Sequence, residues 1–314
     1  CESSPKLHQI TLGNRITTIG HSAFMACYRV QTIVLPNSVK VIGANLFENS
    51  GIESIQLSAS LTAISQYAFA GCANLKTLTV PASVVAVYDY AFLDCSALTG
   101  VAFSTGLESF GTAIFMNCTA LTSVSIPSTV KSMAGNPFIN CPALANITLD
   151  SANTSYVFEN GMIMDADKFT LIYYSPLLTD ATPVLPSTVR VFASGAFYGS
   201  QIQSFELSAN MTEISEMMFM DCKKLASITL PLSITKIGNK AFMGCEALTA
   251  IVIPETVTQI GEYAFAGCTG LTTVDFAERK TDYTIGAHAF DGAINLATIN
   301  LQEGLTALTP YMFA

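Results

Sequence analysis

The chain has 314 residues, half of them apolar but only 12% charged, with 23 acidic against 14 basic residues and a formal net charge of −9. No apolar run approaches the ~18 residues that cross a bilayer, and no Lys/Arg stripe offers a phosphate backbone a counter-charge, which argues against nucleic acid as a partner. A soluble domain usually has about 25% charged residues, so the expected body is a long, thin core under a surface of Ser, Thr and Ala.

Taken in chain order, the first feature is Cys1, which reads in two ways. It fits the lipid-bearing first residue of a mature bacterial lipoprotein, a lipid anchor at Cys1. It also fits a repeat position, because "CESSPKLHQITL" resembles the later "CYRVQTIVL" with three residues added. Phe then recurs at 24, 47, 69, 92, 115 and 138, in steps of 22 or 23 residues. A period of 20–30 residues marks stacked coils, each too small to bury its apolar face alone.

Within one coil the pattern is legible residue by residue. In "LTAIVIPETV", Ile251 and Ile253 show period-2 spacing, giving a short strand with one buried face. Pro254 ends it, since proline cannot donate to a sheet ladder. Val257 and Ile260 turn inward on a second extended stretch, and Gly261 is expected to allow a tight bend. Ala264 and Phe265 close the coil. No segment has the ten or more residues of 3.6-residue period that a helix requires.

Three residues after the repeat Phe lies a cysteine: Cys27, Cys72, Cys95, Cys118, Cys141, Cys222, Cys245 and Cys268, with Ser50 and Ser200 in two coils. Paired C-x₂-C spacing for a metal is absent. Adjacent coils place equivalent atoms about 5 Å apart, but with parallel Cβ directions, whereas a disulfide wants Cβ atoms about 3.8 Å apart. The expectation is a column of buried, reduced thiols.

The Phe138-to-Phe197 interval is 59 residues, a coil plus about one and a half more. Met162–Met164 and Thr170–Tyr174 form apolar runs around "DADK", which predicts a β-hairpin insertion at about 150–185. Asp165 and Asp167 suit its polar turn better than a calcium site. The repeat then resumes at Phe197, Phe219, Phe242, Phe265, Phe290 and Phe313, making twelve copies. "FAERKTDYT" (276–284) is the densest charge cluster and is expected to be a solvated loop. The chain stops at "PYMFA", where Gly-Cys would follow, which favours a segment of a longer array over a complete lipoprotein.

"LPNSVKVIGANLF", "VPASVVAVYDYAFLDCSALTGV" and "IPETVTQIGEYAFAGCTGLTTV" resemble the BspA-like leucine-rich repeat family. The likeness covers nearly the whole chain, and residues 156–189 resemble an insertion common in that family. It implies a leucine-rich-repeat solenoid of the bacterial cell-surface type. Some such relatives act as adhesins for host proteins. The regular turn Asn of ordinary leucine-rich repeats is missing, so their ligands do not transfer. The expected fold is one solenoid over residues 1–314: mostly short β-strands and 3₁₀-like turns, little α-helix, and the hairpin near the middle.

Reaction chemistry finds no footing. There is no G-x-S-x-G, no phosphate loop and no H-E-x-x-H, and His21 and His288 are expected in exposed turns. No enzyme and no cofactor are expected. The outward strand positions form a ladder of small side chains that includes Thr79, Ser125, Thr148, Glu206, Thr229 and Asp275. It lacks aromatic residues, so sugar binding finds little support on that face. Outside the repeat, Met162, Met164, Phe169, Tyr173 and Tyr174 concentrate in the hairpin. The two groups are the candidate partner-binding residues, and replacing residues 160–175 is expected to impair binding more than ladder substitutions. The function expected is a non-enzymatic, extracellular or cell-surface adhesion module, monomeric, binding a host or extracellular protein. The alternative is a structural spacer or stalk with no ligand of its own.

Overall fold

Alternation of apolar and small polar residues predicts strands with one buried face, and the computed structural model, which describes residues 6–278, 282–305 and 307–313, has them throughout. Among the described residues there is no helix. The chain divides into two compact units, residues 1–158 and 159–314.

In the first unit the coils of Phe47, Phe69, Phe92, Phe115 and Phe138 each contribute one longer and one two-residue strand. Thr32–Val34 pairs with Ser54–Gln56, while Thr77–Val80, Gly100–Phe103, Ser123–Ile126 and Asn146–Leu149 form a four-stranded sheet. The short strands Ala63–Ile64, Ala86–Val87, Ser109–Phe110 and Ser132–Met133 form another. All of these pairings are parallel and equivalent residues are in register, as with Leu78 opposite Val101. Parallel pairing without a helical crossover is possible because a full coil separates successive strands.

The second unit repeats this plan. Ser204–Glu206 pairs with Ser227–Thr229, and Ala250–Ile253, Thr273–Phe276 and Thr298–Asn300 form a sheet. Glu213–Ile214, Lys236–Ile237, Gln259–Ile260 and Thr284–Ile285 form the short-strand sheet. The expected hairpin is present: Met162–Asp165 runs antiparallel to Thr170–Tyr174, which pairs in parallel with Val191–Phe192. The Asp165 carboxylate accepts hydrogen bonds from Phe169 N (2.7 Å) and Thr170 N (3.0 Å), which holds the polar turn.

The third side of every coil is a turn segment with its own ladder. Phe47 N donates to Ala68 O (2.8 Å), and Asn49 N to Ala70 O (2.7 Å). The i→i+3 bonds expected of 3₁₀-like turns are there, as from Cys95 N to Phe92 O. They are interrupted by left-handed residues two before and two after the repeat Phe, such as Tyr90 (φ 55°) and Asp94 (φ 58°) around Phe92. Those residues turn the chain back so that Phe92 points inward.

The core is the stacked column of repeat phenylalanines. Ring centroids lie 5.4 Å apart for Phe47–Phe69 and 5.3 Å for Phe92–Phe115 in the first unit. In the second they lie 5.4 Å apart for Phe219–Phe242 and 5.2 Å for Phe242–Phe265. Phe242 is wholly buried. The reading of Gly261 needs correction. Its backbone is not left-handed; a Cβ there would instead meet the Asn239 backbone nitrogen at 2.5 Å. The glycine permits close approach of neighbouring coils, not a bend.

Candidate interaction surface

The cysteine column is internal. Each thiol donates to the carbonyl of a repeat Phe in the preceding coil at 3.1 Å, as from Cys95 to Phe69 O and from Cys268 to Phe242 O. Ser50 and Ser200 fit this slot, their hydroxyls lying 3.4 and 3.3 Å from the sulfurs of Cys72 and Cys222. Burial first of all pushes the thiols up, Cys72 to about 11 and Cys222 and Cys268 to about 12. Such thiols are poor nucleophiles, since the thiolate is the reactive form. Seven are free. Cys27 corrects the expectation of a wholly reduced column, because it is disulfide-bonded. Parallel Cβ directions bear only on bridges between neighbours within the column. Cys1, with its lipid-anchor reading, lies outside the described residues, as do residues 279–281 of the charge cluster.

The histidines differ from each other. His21 is exposed, and its Nδ1 accepts a hydrogen bond from Ala44 N at 3.1 Å. His288 is partly buried, contrary to expectation. Its ring stacks between Tyr263 (4.5 Å) and Tyr311 (5.0 Å), with Nδ1 3.1 Å from Asp291 Oδ2.

The hairpin does not present the apolar patch that its composition suggests. Met162, Met164, Tyr173 and Tyr174 are buried, and Phe169 alone of the five is substantially exposed, at 49%. A two-stranded hairpin is marginal in water, and this one is held by putting its apolar residues into the core.

The strand ladder is at the surface. Thr79, Ser125 and Thr148 are exposed in the first unit, Glu206 and Thr229 in the second, and Asp275 is half-exposed. Hydroxyls just before the strands are used internally: Thr99 donates to Lys76 O (3.1 Å), and Thr272 to Thr249 O (3.0 Å). Thr79, Ser125, Thr148, Thr229 and Glu206 make no side-chain hydrogen bond to another described residue, whereas Asp275 accepts one from Asn300 at 2.7 Å. In the second unit a groove of about 550 Å³ is lined by Thr182, Ser204, Glu206, Ser227 and Thr229. It is not visible from the sequence, because Thr182 comes from the insertion and reaches Ser204 by a 3.0 Å hydroxyl contact. No helix among the described residues is long and apolar enough to cross a membrane.

Among solved structures, the chain is similar to the pneumococcal vaccine antigen PcpA, with a TM-score of 0.72 at 25% identity over 93% of this chain and 76% of that one. It is similar to a leucine-rich cell surface protein of Faecalibacterium prausnitzii, with a TM-score of 0.62 at 27% identity over 86% of each chain. A leucine-rich repeat protein of Eubacterium ventriosum shares the fold, with a TM-score of 0.66 at 22% identity over 80% of this chain and 73% of that one. No curated protein matches. The family model described as BspA type leucine rich repeat region (6 copies) matches residues 1–119, 40–164 and 184–314. With those matches and a β-solenoid in each unit, the chain belongs to the BspA-type leucine-rich repeat family, and it shares its fold with a bacterial cell surface protein and a pneumococcal antigen.

Proposed function

We propose that the chain is a non-enzymatic interaction module on the bacterial cell surface, acting as a monomer and engaging an extracellular protein through the outward face of its longer strands. The observation that carries this reading is the split use of hydroxyl groups. Those flanking the strands are spent on backbone carbonyls, while Thr79, Ser125, Thr148 and Thr229 keep their donors and acceptors for solvent or a partner. In the second unit, Glu206, Thr229, the 59%-exposed Val252 and Asp275 occupy one outward position in successive coils. A row with acids at both ends and a hydroxyl and an apolar residue between suits an extended, basic segment of a partner. Of the five hairpin candidates only Phe169 is substantially exposed, which supports the ladder as the binding face.

The test is retention of host extracellular proteins on immobilised chain. The intact chain retains a defined protein, and Glu206→Lys with Asp275→Lys abolishes retention while the fold is kept. Replacement of residues 160–175 by a Gly/Ser link leaves retention within about twofold if that variant folds. A chain that retains nothing specifically is a spacer.

A further inference from the structure

The glycine before the turn segment leaves a trough outside the short strands, and in one place a tyrosine stands across it. Gly20, Gly43, Ser65 and Tyr88 occupy this position in four successive coils of the first unit. A cavity of about 370 Å³ runs over them, lined by Thr18, His21, Val41, Gln66, Tyr88 and Asp89 together with the glycines. It crosses three coil-to-coil steps, about 14 Å at ~4.8 Å per strand.

Two of its four floor positions carry no Cβ: one added to Gly20 would meet no atom within 4 Å, whereas one added to Gly43 would run into the His21 backbone. Its wall is the Tyr88 ring, 53% exposed. The polar groups around it are held or open in a definite way. With Nδ1 accepting from Ala44 N, neutral His21 carries its proton on Nε2 as a donor. Asp89 Oδ1 is fixed by Thr112 N at 2.7 Å, which leaves Oδ2 as an acceptor. The Gln66 side chain makes no hydrogen bond to another described residue, so its amide offers both.

We propose that this trough is a binding subsite for a neutral oligosaccharide, on a different face from the ladder. No Lys or Arg lines it, and the carboxylate of Asp89 stands at its edge, so anionic ligands are disfavoured. An apolar small molecule would gain little from a cleft open along one side, since apolar ligands rely on having most of their surface enclosed. A pyranose presents a C–H face to an aromatic ring and hydroxyls around its rim. Tyr88 matches the face, while His21, Gln66 and Asp89 match the rim with mixed donors and acceptors. The length accommodates a short chain of rings, not one.

The probes are cellotriose, chitotriose and β-1,4-mannotriose, each added to the intact chain and followed by saturation-transfer NMR and calorimetry. The expected result is transfer to ring C–H protons of at least one trisaccharide. In Tyr88→Ser, binding should be about tenfold weaker, the order set by loss of one aromatic contact. Serine already occupies the position at Ser65 and Ser215, so this variant keeps the coil. Tyr88→Phe should bind within about threefold of the unaltered chain. Absence of transfer from all three sugars at millimolar concentration overturns the proposal, and so does unchanged binding in a folded Tyr88→Ser chain. Tyr88-dependent binding of a neutral Gly/Ser-rich peptide without any sugar binding overturns it too.

Discussion

At the scale of single residues, the repeat Phe and the cysteine beside it are one device. The ring fills the coil, and the thiol three residues on caps the carbonyl of the previous ring's residue, as Cys268 does for Phe242 at 3.1 Å. Phe242 lies between Phe219 and Phe265 at 5.4 and 5.2 Å, so its cavity cannot close from above or below. Phe242→Ala is therefore expected to cost about 3–5 kcal/mol in chemical denaturation, the usual range for emptying a buried Phe site; a cost below about 1 kcal/mol would place the column outside the core. The thiols set a pH dependence. An unfolded cysteine loses its proton near 9.0, while folded Cys222 holds it to about 12 because of burial. Above pH 9 the unfolded state therefore binds fewer protons than the folded one, and stability falls as pH rises. The contribution is complete below about pH 9 and is lost progressively toward about 12. Melting temperatures measured from about pH 8 to 11 should decline, and Cys222→Ser should decline less steeply. Equal slopes would show that the thiol titrates alike in both states.

At the scale of the coil, the left-handed position two residues after the repeat Phe explains which letters recur there. Two residues after the Phe stand Asn49, Asp94, Asn117, Asn140, Asp221, Gly244 and Gly267, all with positive φ. Asn and Gly tolerate that region, and Asn or Asp adds a local ladder: Asn117 donates to Asp94 at 2.7 Å, and Asn140 to Asn117 at 2.8 Å. Gly267 has φ +67°, and a Cβ placed on it would meet no atom closer than 3.7 Å, an ordinary contact. Space is not its constraint; conformation is. Gly267→Asn should therefore be nearly neutral, while Gly267→Val should cost about 1–2 kcal/mol, the penalty for a side chain in the left-handed region. Equal costs for the two would mean that packing governs the slot instead.

The coil is legible in the sequence because each of its parts repeats: Ile251 and Ile253 mark the strand, Pro254 its end and Phe265 the core. What cannot be read is anything set by contact between coils at one place only. The close approach at Gly261 looks like a bend in the sequence, because a missing Cβ serves either purpose and only the distance to Asn239 separates them. The hairpin's aromatic content looks like surface, yet Tyr173 and Tyr174 are buried. Period-two alternation reports on a strand with one wet face, and Leu171 to Tyr174 lacks it because all four are inside. The His288 stack is hidden for a related reason: its partners Tyr263 and Tyr311 are each about one coil away in sequence and next to it in space.

At the scale of the whole molecule, we propose that residues 1–314 melt as one domain although they divide into two units at residue 158. In a repeat body each coil is stabilised by its neighbours, and stability is a sum of weak intrinsic terms and strong interface terms. The same repeat Phe recurs on both sides of residue 158, and coils of one type are expected to melt together. The chain contains no tryptophan, which makes a clean test available. A single indole reporter can be placed in each unit, Tyr67→Trp in one chain and Tyr263→Trp in another, both at partly exposed ring stacks. Adding Phe242→Ala to each then destabilises the second unit. In a single domain both reporters follow the same denaturant midpoint, and Phe242→Ala lowers it equally for both. Independent domains would leave the first unit's indole signal where it was while the second unit's signal moved, and that result would divide the chain in two.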